Sequence, residues 1–172
     1  PFVATKQASI IDDSSQHEGR KRLVEHVDGN WASHIFIELH PDILSKLKEF
    51  TSELEDEQIK PVESPHVSIS KMFILKHHWI DNFFKMLSAT VFFEMFNLEI
   101  SPSVAFLSNE NKSRHFACIL LEESCKSHLQ SLVNQIDKSL KEFQLPTYYE
   151  ESIFHISVLW KLTEFSDEEK SE

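Results

Sequence analysis

Residues 65–70, Pro65-His66-Val67-Ser68-Ile69-Ser70, and residues 154–159, Phe154-His155-Ile156-Ser157-Val158-Leu159, carry the same tetrad: histidine, apolar residue, serine, apolar residue. Along a β-strand, side chains i and i+2 point to the same side. His66 and Ser68 therefore share one face, with Val67 and Ile69 on the other. His155 and Ser157 share a face in the same way, with Ile156 and Val158 beneath. Each stretch reads as a strand with one polar and one apolar side. Given ten histidines and this chain's share of apolar and Ser/Thr residues, about 0.3 such tetrads are expected by chance, so the second copy gives the pattern its weight.

Upstream of the first tetrad, Asp28-Gly29-Asn30 is a turn signal, and residues 31–39 alternate as a strand through Ile35, Ile37 and Leu39. Pro41 suits a first helical turn, and Ile43, Leu44, Leu47, Phe50 and Leu54 recur at helical spacing until the acidic run 53–57 and Pro61. The first tetrad's strand is read as short, 66–70, with Leu75 as the furthest point of an optional extension. A helix follows over 78–89, with Trp79, Ile80, Phe83, Phe84, Met86 and Leu87 inward. Strands are read at 92–100, 104–107 and 116–121, with a polar turn at 108–113. Cys125, Leu129, Leu132, Val133, Ile136, Leu140 and Phe143 mark the clearest helix, with Ser124 as its expected N-cap. The last strand is 154–160.

Strand, helix and tetrad-bearing strand thus occur twice, over 31–70 and 116–158. This predicts an α+β domain of two pseudo-symmetric lobes, with antiparallel or mixed sheets lining a central cleft and helices outside. The expected division is a polar segment at 1–28, the two-lobed domain at 29–163 and an acidic, solvated tail at 164–172.

The 172 residues suffice for one domain with its own core. No window holds ~18 consecutive apolar residues, so no membrane span is expected. The start lacks both an initiator Met and a basic region followed by an apolar stretch, so the chain reads as a fragment without a visible signal peptide. Cys118 and Cys125 make neither a disulfide framework nor a zinc spacing and are read as reduced, in a cytosolic or nuclear protein. Two glycines, Gly19 and Gly29, exclude glycine-rich loops that cradle nucleotide phosphates. The net charge of −11 argues against broad adhesion to nucleic acid but leaves room for one local phosphate pocket.

Side by side, two such strands bring two imidazoles and two hydroxyls into one pocket. Such a set supplies a general base, a general acid and donors to phosphate oxygens. The competing reading is a pair of core-edge histidines capped by serines; the duplication favours chemistry. No cluster suggests a metal, and no cofactor is expected. His77 and His78 read as the start of a helix, Trp31, Trp79 and Trp160 as core, and His34 either as a lining of the cleft or, by preference, as a strand-surface residue. Lys112 and Arg114 are either phosphate contacts or a solvated turn.

The paired motifs resemble the two-histidine phosphoesterase superfamily and, within it, the U6 spliceosomal RNA phosphodiesterase branch of nuclear 3′-exoribonucleases. The resemblance is carried by residues 29–34 (Gly-Asn-Trp-Ala-Ser-His), 66–70, 76–81 (Lys-His-His-Trp-Ile-Asp), 109–116 and 148–160. Serine in both tetrads singles out this branch, since the other branches usually carry threonine.

The resemblance implies that His66 is the general base, drawing a proton from a ribose 2′-OH that attacks the adjacent phosphorus. His155 would be the general acid, protonating the departing 5′ oxygen, with Ser68 and Ser157 holding the non-bridging oxygens. The product end would be a 2′,3′-cyclic phosphate, open to further hydrolysis. Tyr149 would stack on the terminal base, although Tyr148 beside it leaves the choice of ring open. Glu110, Glu151 and Ser152 are further substrate-contact candidates, Glu110 being acidic where an amide is expected. The implied partner is an RNA 3′ end, such as that of U6 snRNA or an oligouridine, in the nucleus, with the protein acting as a monomer. Two alternatives stand beside it: a 2′,3′-cyclic phosphodiesterase, and a non-catalytic RNA-binding or spliceosome-assembly module.

Overall fold

Val67 and Ile156, the apolar residues between each histidine and serine, are 0% and 1% exposed, so both tetrads lie in strands whose apolar side is sealed. The computed structural model describes residues 27–170. All but the last two residues of the expected polar segment 1–28, and the last two of the expected tail, lie outside the described residues. The elements are β1 (Asn30–Ser33), β2 (Phe36–Glu38), α1 (Pro41–Ser52), β3 (Lys60–Pro61), β4 (His66–Ser68), β5 (Phe73–Lys76), α2 (Ile80–Thr90), β6 (Ile100–Ser108), β7 (His115–Leu121), α3 (Glu123–Glu142) and β8 (His155–Lys161). A 3-10 turn over His77–Trp79 leads into α2, so His77 and His78 open a helix as read.

The fold is α+β. A six-stranded antiparallel sheet runs β2-β4-β8-β7-β6, with β3 also on β8, and β1 and β5 form a separate pair. The two strand–helix–strand units, β2-α1-β4 and β7-α3-β8, meet through β4 and β8, their tetrad strands. β4 and β8 are antiparallel, so the two tetrads run past each other in opposite directions at the Val67↔Ile156 pair. The tetrad strands are thus neighbours in one continuous sheet, whereas the sequence suggested sheets meeting along a cleft.

The apolar side is covered by α3, whose Cys125, Leu129, Leu132, Val133, Ile136 and Leu140 are all buried and recur at helical spacing. Val67, Ile156, Val158, Phe73 and Phe83 join them in one core. At the N-terminus of α1, Pro41 occupies the first turn, and His40 Nδ1 accepts the Asp42 N–H at 3.3 Å.

Several local expectations are corrected. The single strand at 31–39 is two, and the extension of 66–70 toward Leu75 is a separate strand, β5. Between the Ser33↔Phe73 and Phe36↔Ser68 pairs, one segment advances three residues and the other five, so the ladder breaks. Ser70, 2% exposed, fills the break: its hydroxyl accepts the Ile35 N–H at 2.8 Å, while Ile35's carbonyl accepts the N–H groups of Ile69 and Ser70. Residues 92–99 form no strand. Phe92, Phe93 and Met95 are exposed, and the segment is tied to α3 by the Phe92 N–H to Gln135 Oε1 at 2.7 Å. Aromatic β-propensity needs a partner strand, and none pairs here. Ser124 is not the cap of α3: the N-cap is Glu122, and Ser124's hydroxyl donates to Glu99 Oε2 at 2.9 Å. Trp31 and Phe84 lie outside the core at 56% and 57% exposure, while Trp160 is buried. In the acidic end, Phe165 is buried, 5.0 Å from the Phe106 ring, and Glu169 pairs with buried Lys161.

Candidate active site

The register of β4 and β8 builds the site. Val67 lies opposite Ile156 in an antiparallel pair. It follows that His66 faces Ser157 and Ser68 faces His155, all four on the sheet side away from α3. The two histidines occupy one diagonal of a square and the two serines the other. The rows extend outward: β2 sets Glu38 beside His66 and Phe36 beside Ser68, and β7 sets Cys118 beside Ser157 and Leu120 beside His155.

Both imidazoles are held alike. His66 Nδ1 lies 2.7 Å from the carbonyl oxygen of Ser64, and His155 Nδ1 lies 2.7 Å from that of Ile153. A carbonyl only accepts, so each Nδ1 carries the hydrogen and Nε2 is left to exchange protons. Burial, opposed in part by the bond to Ile153 and reinforced by His66, holds the His155 pKa below the ordinary histidine value. A third imidazole, His34, sits edge-on to His66 with ring centroids 5.2 Å apart. Burial and then His66 depress its pKa.

Neighbours brace the serines. Cys118 Sγ is 3.4 Å from Ser157 Oγ, and burial pushes this thiol up to about 11, so it stays neutral. Tyr148 donates its hydroxyl to the Ser68 carbonyl at 3.0 Å and stacks on Phe154 with ring centroids 5.8 Å apart. Its own pKa is raised by burial to about 12. Of the two adjacent tyrosines, then, Tyr148 belongs to the core and Tyr149 is the exposed ring, at 45%.

Lys71 Nζ lies 4.2 Å above the Tyr149 ring and 3.1 Å from Glu110 Oε1. Burial and then the Glu110 carboxylate, which also hydrogen-bonds the phenol, raise the Tyr149 pKa. Glu110's charge is thereby offset by Lys71. Ser152 closes the loop by donating to the Tyr149 carbonyl at 3.1 Å; Glu151 is exposed beside it. Lys112 has a left-handed backbone (φ 53°) in the exposed turn before β7, and the Arg114 guanidinium lies 5.8 Å from the Phe116 ring centroid.

Two neighbours of the site were not singled out from sequence. Phe36 had a legible signal, since an aromatic residue out of phase with Ile35 and Ile37 must face away from the core. Lys71 had none, because its reach to Glu110 and Tyr149 crosses three separate segments. Among the described residues, no group of three or more His, Cys, Asp or Glu side chains is placed to hold a metal ion, and no helix is long and apolar enough to cross a membrane.

A family model described as "HVSL: Uncharacterised conserved protein" matches residues 2–172. Proteins named "U6 snRNA phosphodiesterase 1" are similar over most of the chain. The mouse protein is 37% identical over 157 residues, 87% of this chain and 57% of its own length. The Xenopus laevis protein is 32% identical over 154 residues, 87% of this chain and 61% of its own. The human protein is 32% identical over 158 residues, 87% and 57%. The chain thus spans less than two thirds of the length of these relatives. It belongs to the HVSL family and is a relative of the proteins named U6 snRNA phosphodiesterase 1.

Proposed function

We propose that this chain is a phosphodiesterase of RNA 3′ ends, acting on U6 snRNA as a 3′–5′ exonuclease. The observation that carries the reading is the register Val67↔Ile156, which sets two imidazoles and two hydroxyls in a square on one sheet face. A phosphate at the centre of that square meets Ser68 and Ser157 on one diagonal and a base and an acid on the other. His66 Nε2 takes the proton of the penultimate 2′-OH, and O2′ attacks the phosphorus. The bond to the terminal 5′ oxygen breaks, and His155 Nε2 protonates that oxygen. The shortened RNA ends in a 2′,3′-cyclic phosphate, and water in a second passage would open it. The nucleophile is tethered beside the phosphorus, so the step has the advantage of an intramolecular reaction and calls for no metal-bound water.

His155 is neutral by preference in the free protein, and the anionic phosphodiester supplies the charge that favours its protonated form. Tyr149 offers the terminal base a stacking surface, with Glu110, Glu151 and Ser152 around it. The reading implies a monomer without cofactor, working in the nucleus in the maturation of a splicing RNA.

The test is incubation with a short oligouridine in EDTA, followed by mass analysis of the 3′ ends. Stepwise loss of terminal nucleotides with cyclic-phosphate ends is expected. Uncleaved RNA that nonetheless binds would favour a non-catalytic module, and opening of cyclic ends alone would favour a cyclic phosphodiesterase. Cleavage abolished by EDTA and rescued by one divalent ion would refute the metal-independent mechanism.

A further inference from the structure

Phe36 stands at the edge of the proposed site with no role in the chemistry above. Its β2 register places it directly beside Ser68, on the same sheet face as the two histidines. The ring is 40% exposed. Its centroid lies 4.6 Å from that of His66 at a 42° tilt, and 5.6 Å from that of His34. It also borders an apolar hollow of ≈670 Å³, between β2 and the segment after α2, whose lining includes Phe93, Met95 and Phe96 and, among the described residues, no charged one. Phe36 thus joins Phe93 and Met95, both exposed, around one apolar hollow, and a contiguous exposed apolar patch, unlike a single exposed ring, marks a surface for interaction.

The covalent structure of a ribonucleotide says what would cover it. The attacking O2′ and the glycosidic nitrogen sit on adjacent ribose carbons. If O2′ is within hydrogen-bond reach of His66, its own base lies within a ring's breadth of His66 and so within reach of Phe36. We propose that Phe36 is a stacking platform for the penultimate nucleobase, the base of the nucleotide whose 2′-OH is activated. This rests on the transesterification reading and extends it to a second base subsite. Stacking requires only a π-face, so the subsite accepts any base and holds the attacking ribose rather than selecting sequence. It also supplies affinity without cationic surface, which suits a chain of net charge −11.

The test combines Phe36→Leu and Phe36→Trp with an oligouridine whose penultimate residue is an abasic ribose, which keeps the 2′-OH and lacks the base. Leu preserves apolar packing against His66 but has no π-face. In the parent protein, the abasic substrate should lose roughly 5- to 150-fold in kcat/KM, the range that base–aromatic stacking spans. Phe36→Leu should lose a similar factor on the intact substrate and nothing more on the abasic one, while Phe36→Trp retains activity. Equal cleavage of intact and abasic substrates by the parent, or losses that multiply when variant and abasic site are combined, would overturn the subsite. A penultimate 2′-deoxyuridine with its base intact separates the two levels. If it stays uncleaved, the transesterification reading stands and the abasic result judges Phe36 alone. If it is cleaved efficiently, the reading fails and takes the penultimate assignment with it.

Discussion

Replacing Tyr148 with Phe removes one oxygen and leaves the ring. That ring is 8% exposed and stacks on Phe154, so no cavity larger than a hydroxyl is created. What is lost is the 3.0 Å bond to the Ser68 carbonyl, on the strand that carries the first tetrad. A net hydrogen bond contributes about 0.5–1.5 kcal/mol, and a buried acceptor left without its donor costs about 1–3 kcal/mol, so a loss of about 1–2 kcal/mol is expected. For a chain of this size that is a fall of about 2–8 °C in Tm. The bond also ties down the end of β4 where the Ser68 hydroxyl meets the proposed phosphate. Activity on oligouridine should therefore fall severalfold in kcat, with KM little changed, since the Tyr149 surface is untouched. Urea unfolding followed by tryptophan fluorescence, alongside initial rates, measures both. A variant within about 0.5 kcal/mol of the parent, the scatter of neutral surface substitutions, and with unchanged kcat would refute the reasoning.

Alanine at His66 or His155 should each lower the rate by roughly 10²–10⁴-fold while circular dichroism stays the same; a loss under tenfold at either would remove that residue from the acid–base pair. Tyr149→Ala should leave stability near the parent's and weaken binding of the terminal nucleotide by ~1–3 kcal/mol; unchanged affinity would mean that the ring merely covers the loop. In the free protein, His155 should titrate by NMR below the ordinary 6.5 and move upward when inorganic phosphate is added; a midpoint above 6.5 without phosphate would contradict its burial. The sign carries over to stability. His34 and His155 both have depressed values in the folded state, so the unfolded chain takes up their protons first and stability falls as pH drops through about 6.5. A urea midpoint as high at about pH 5.5 as at about pH 7.5 would count against this.

Local pattern made much of this protein legible before any coordinates. A two-residue period marks the tetrad strands, because Val67 and Ile156 must be buried if their neighbours are polar. A helical period marks α3 for the same reason, and its apolar stripe is the one that lies buried. Those inferences need only near neighbours in the chain. They also bring both histidines and both serines forward as site candidates, since i and i+2 share a face.

Tertiary structure decided everything that depends on pairing between distant segments. The Val67↔Ile156 register turns two separate His–Ser pairs into one square, and a slip of one residue would have sent one pair into the core. Nothing near either tetrad encodes that register; it comes from apolar faces packing against a common helix. The choice between Tyr148 and Tyr149 was likewise made by Ser68 and Phe154, which bury one ring and leave its neighbour open. Trp31 was misread because the two-stranded pair β1–β5 leaves it 56% exposed, and residues 92–99 because no strand pairs with them, although Phe96 and Leu98 still pack against the core. The sequence by itself determined which residues could do chemistry and which side of each strand they occupy. Which of them meet was left to the sheet, because long-range hydrogen-bond register is a property of the assembled core and not of any stretch of chain.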